Sequence, residues 1–89
     1  MKKSLREELL DGVAEGAELA VEMHRDYDGS EVNDEVLHRL WESVIGTDGP
    51  EHADGAVTRA SEVLGPEEVM GVFFEAATNK AASLGIAAH

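Results

Sequence analysis

In four stretches of this chain, apolar residues return every three to four positions, and breaks carrying glycine or proline separate the stretches. That period belongs to the α-helix, whereas a half-buried strand would alternate at every second residue. The pattern predicts an all-α chain folded as a compact four-helix bundle, with helices over about 4–26, 31–45, 50–64 and 66–84. With 89 residues, no internal repeat and no long linker, the prediction is a single helical domain over 1–89. A chain this short buries only about 60–65% of the surface its unfolded form exposes, which leaves little material for a deep cleft.

The first segment places Leu5, Leu9, Val13, Ala17, Ala20 and His24 on one side, flanked by Leu10 and Val21. Gly12, Gly16 and Ala20 make a ridge of small residues along its border. Each mid-helix glycine costs about 1 kcal/mol relative to alanine, so close approach of another helix backbone is expected there. Tyr27-Asp28-Gly29-Ser30 reads as a turn, with Ser30 or Asn33 as the next N-cap. The second segment is the cleanest, with Val36, Leu37, Leu40, Trp41, Val44 and Ile45 opposite Glu31, Glu35, His38, Arg39 and Glu42. Asp48 and Glu51 suggest a capping box for the third, with Pro50 in its first turn. Its stripe of Ala53, Ala56, Val57, Ala60, Val63 and Leu64 is narrow, and Gly55 interrupts it. Gly65-Pro66 both stops that helix and starts the last. The apolar residues of the last helix cover more than half its circumference, which fits either a central helix or a homodimer interface through helix 66–84.

Charge limits the partners. Nineteen Asp and Glu oppose seven Lys and Arg, giving −12, and Lys2, Lys3 and Arg6 crowd the start. Neutralising phosphates takes clustered cations, so direct nucleic-acid binding and adhesion to anionic membranes are not expected. No cysteine is present, which excludes disulfides, thiolate metal sites and cysteine nucleophiles. The opening MKKSLREELL meets Glu7 and Glu8 before any apolar run, unlike a signal peptide. No stretch reaches the ~20 apolar residues of a membrane span. A cytoplasmic location is the expectation.

Three local patterns bear on chemistry. His24 to Glu35 resembles the loop of the EF-hand family, with Asp26, Asp28, Gly29 and Glu35 at its third, fifth, sixth and twelfth positions. The resemblance implies calcium held by Asp26, Asp28 and Glu35, since this hard cation takes several oxygens and a closing bidentate Glu. His24 stands where that family has its first acidic ligand and Glu31 where it has an aliphatic residue, and no second loop follows. Glu35 and His38 are similar to the Glu-x-x-His pairs of di-iron four-helix proteins. Those sites need a second pair and two more carboxylates facing inward, whereas this pair falls on the polar side of its helix. Ser30 resembles the phosphopantetheine-bearing serine of acyl carrier proteins, but in a Gly29-Ser30-Glu31 setting where that family has Asp-Ser-Leu.

No Ser-His-Asp set, Gly-rich phosphate loop or pair of buried carboxylates can be assembled, so neither enzymatic activity nor a cofactor is expected. The leading expectation is a protein-interaction or regulatory protein that binds a basic partner surface through Asp11, Glu15, Glu18 and Glu22 on the first helix. Two alternatives stand beside it: an inhibitor that mimics nucleic acid to occupy a basic nucleic-acid-binding protein, and a calcium or metal protein using the 26–35 loop.

Overall fold

The computed structural model describes residues 4–45 and 54–87. They form a bundle of α1 (Leu5–Tyr27), α2 (Asp34–Ile45), α3 (Asp54–Leu64) and α4 (Pro66–Leu84). The Asp48–Glu51 capping box, Pro50, Ala53, His52 and His89 lie outside the described residues. Among the described residues no helix is long and apolar enough to cross a membrane.

Local chemistry accounts for the helix ends. Ser4 caps α1, its Oγ accepting from the Glu7 amide at 3.1 Å, and Glu7 and Glu8 place negative charge in the first turn. At the other end, the amides of Asp28 and Gly29 both donate to the His24 carbonyl, and Gly29 takes φ 71°. α2 begins at Asp34, later than the predicted 31. Asn33 caps it, its Oδ1 accepting from the Val36 amide at 2.9 Å. Glu31–Asn33 cannot join the helix because the Val32 amide donates to Ile86 at 2.7 Å, in a parallel bridge between Val32 and Ala87. The backbone just after Gly85 is thus tied to Val32, just ahead of α2. α4 closes as a Schellman turn: Gly85, at φ 76°, donates to Ala82, and the Ile86 amide reaches Ala81.

The core is aliphatic around a few aromatic rings. Val13, Ala17 and Val21 of α1 face Val69, Phe73, Ala77 and Ala81 of α4, all fully buried. Phe73 is the largest of these, and burying it contributes about 1.5–3 kcal/mol. Trp41 of α2 meets it edge-on, with ring centroids 5.4 Å apart. Val57 and Ala60 add the buried face of α3. Two predicted core members fall outside: Leu5 is 65% exposed and Val63 is 56% exposed.

At the centre of the small-residue ridge Gly16 is buried, as is its neighbour Ala17. α1 packs most closely on α4, then on α3, and least on α2. Two ion pairs clamp α1 to α4, Arg6 with Glu68 at one end and Glu22 with Lys80 (3.1 Å) at the other. They join start to start and end to end, so α1 and α4 run parallel. The Val32–Ala87 bridge, just past the two C-termini, agrees with that direction. α4 packs on α1, α3 and α2. Met70, Val72, Phe74, Ala76 and Leu84, which made its apolar face look too wide, pack partly buried against the core.

Candidate functional site: the outer face of α1

α1 carries Asp11, Glu15, Glu18 and Glu22 at steps of three and four, so they share its solvent side over roughly 16 Å of axis. Asp11, Glu15 and Glu18 are exposed. Glu22 differs: it is half-buried, and its carboxylate is engaged with Lys80 of α4. Three of the four thus face outward, while the fourth is held at the α1–α4 seam. Among the described residues no polar or charged residue is buried, so the acidic character is confined to the surface.

The 26–35 segment does not form a loop wrapped around one point. α1 continues through Tyr27, so Asp26 is still helical, where Arg25 pairs with it at 3.2 Å. Asp28 is the C-cap of α1, and Glu35 lies in the first turn of α2. Val32, between them, points into the core. The three carboxylates belong to three different settings. No group of three or more His, Asp or Glu side chains among the described residues comes together closely enough to hold a metal ion.

The other patterns resolve similarly. Glu35 and His38 are both exposed, and the His38 ring stands edge-on to Phe74 with centroids 5.1 Å apart. His38 therefore covers a hydrophobic ring from outside and does not face inward with Glu35. His24 is half-buried, as its place on the apolar side of α1 suggested, and its Nε2 lies 3.2 Å from both the carbonyl and the hydroxyl oxygen of Ser30. Ser30 sits before the α2 cap rather than at the head of the helix, tied into the turn by that histidine.

A feature the core-facing pattern overlooks lies beside the acids. Leu19, Met23 and Tyr27 are 40%, 54% and 91% exposed. They fall four apart and form a second apolar row on α1, outside the face that meets α4. Their equal spacing was the available signal. Met23 and Tyr27 form one wall of an open groove whose other wall is Leu40, Ser43 and Val44 of α2. The groove exists because α1 and α2 touch least of all the helix pairs.

Compared with protein-family models, with characterised proteins and with solved structures, this chain matches none.

Proposed function

We infer that this is a non-catalytic interaction or regulatory protein that binds a basic protein surface through the outer face of α1. The observation that supports the reading is the row of Asp11, Glu15 and Glu18, exposed on one side of the longest helix while no charged residue is buried among the described ones. Acids at the surface of a rigid helix steer and select a cationic partner without demanding chemistry of their own.

The test is quantitative affinity capture from the source organism's lysate, with wild type beside the Glu15→Lys, Glu18→Lys double variant, at low and high salt. Both substitutions are at exposed sites, so circular dichroism should be unchanged. A defined partner should be recovered by wild type at low salt and depleted about tenfold by either the variant or high salt. Equal recovery by the two proteins rules out the α1 acids as the binding surface.

A further inference from the structure

We propose that the α1–α2 groove is the docking site for a basic amphipathic helix of the partner protein, a proposal that rests on the reading of an acidic interaction surface and says how it is used. The groove has the two parts such a ligand needs. Its apolar part is Met23 and Tyr27 of α1, with Leu40 half-buried and Val44 buried across from them, and exposed Leu19 continues the row one turn beyond the groove. The row extends over roughly 12 Å, about two turns, which matches a ligand helix presenting anchors at i, i+3, i+4 and i+7. Methionine at the centre suits this use, because its unbranched, polarizable chain adapts to the side chain laid on it.

The polar part is acidic. Glu15 continues the apolar row one turn toward the N-terminus, and Glu18 and Asp26 lie in the adjacent row, all exposed. Glu42 lies on the α2 side together with Arg39. A ligand helix seated on Met23 thus places its flanking residues over carboxylates along most of the rim, which selects Lys and Arg there. The same charge disfavours a second copy as occupant: each chain carries −12, and self-docking would set acidic rows against each other. The groove is open along its length, unlike the concave pockets that bury most of a small molecule's surface.

The probe is a synthetic peptide of leucine and lysine with leucines lining one helical face, compared with a scrambled isomer of identical composition. Binding is followed by amide chemical shifts of the full chain and by titration, for wild type, Met23→Glu, Tyr27→Ser and the Glu15→Lys, Glu18→Lys variant. The expected result is binding of the amphipathic peptide about tenfold or more tighter than its isomer, with shifts at Met23, Tyr27, Leu40 and Val44. Met23→Glu and Tyr27→Ser should each abolish that preference without altering helix content. Equal binding of both peptides, insensitive to Met23→Glu but lost in the lysine variant, overturns the groove while leaving the acidic-surface reading intact. No binding of either peptide overturns both. Self-association of the free chain that Met23→Glu removes, measured by sedimentation, assigns the groove to a second copy and overturns the partner helix.

Discussion

An added Cβ at Gly71 would meet no atom within 4 Å, and the residue is exposed in the middle of α4 with no positive φ. Gly85 also has open space around it, yet its φ is +76°. The two glycines therefore respond in opposite directions to the same change. Gly71→Ala should stabilise the fold by about 1 kcal/mol, because glycine in a helix interior carries the larger backbone entropy loss. That corresponds to a rise in Tm of roughly 4–8 °C for a domain of this size. Gly85→Ala should lower stability by about 1–2 kcal/mol, the cost of the left-handed region for a residue with a Cβ. Thermal melts of both variants test this. A shared sign would mean that the chain ends of α4 do not hold their Schellman geometry. Sequence alone marks Gly85 as a stop, since it follows the last periodic residue. It does not separate Gly71 from Gly16, because whether a mid-helix glycine is buried depends on which helix lies opposite.

Among the described side chains, α3 contributes least to the core, with Val57 and Ala60 buried and Val63 left outside. It also holds two buried hydroxyl oxygens, Thr58 Oγ1 and Ser61 Oγ, that have no hydrogen-bond partner. Replacing such a group with an apolar one of the same shape removes its desolvation cost. Thr58→Val is thus expected to raise the urea midpoint, with a gain of about 1 kcal/mol and an unchanged m-value. A loss of stability would mean that the hydroxyl is satisfied by solvent. The apolar stripe of α3 is narrow by its spacing, and packing explains why the helix forms. A short helix with a narrow stripe is marginal alone, and contacts with α1, α2 and α4 stabilise it. α4 is the reverse case. Its broad apolar face was plain in the sequence, but two readings, central helix or dimer surface, share that pattern. Its partly buried residues Met70, Val72, Phe74, Ala76 and Leu84 pack against the core of one chain.

For the whole molecule, the net charge of −12 spread over a globule 21 Å across its narrowest extent means considerable self-repulsion. The α1–α4 ion pairs are partly exposed, and each is worth about 0–1 kcal/mol. Screening should relieve the repulsion by more than it weakens those pairs. Tm is therefore expected to rise by roughly 5 °C as sodium chloride increases from about 0.01 M to about 0.1 M, where the Debye length falls from ~30 Å to ~10 Å. A fall in Tm over that range would show the specific pairs outweighing the general repulsion. The same field bears on binding: it favours a cationic partner at low salt and opposes self-docking across the α1–α2 groove.

The helices and most of their ends follow from the chain's own order of residues, because period, caps and glycine breaks act over a few neighbouring positions. α4 coincides with its predicted span, and α1 lies within a residue of its own. The acidic row on α1 is equally local, since helical spacing alone sets its members on one side. Contacts between distant residues are another matter. The parallel pairing of α1 with α4, the capture of Glu22 by Lys80 and the Val32–Ala87 bridge that delays α2 all join positions more than fifty residues apart. So does the choice of which α1 rows are covered: Val13, Ala17 and Val21 meet α4, while Leu19, Met23 and Tyr27 are left beside α2. A helix presents all its rows to solvent until its neighbours arrive, and only the packed bundle decides which of them remain open to a partner.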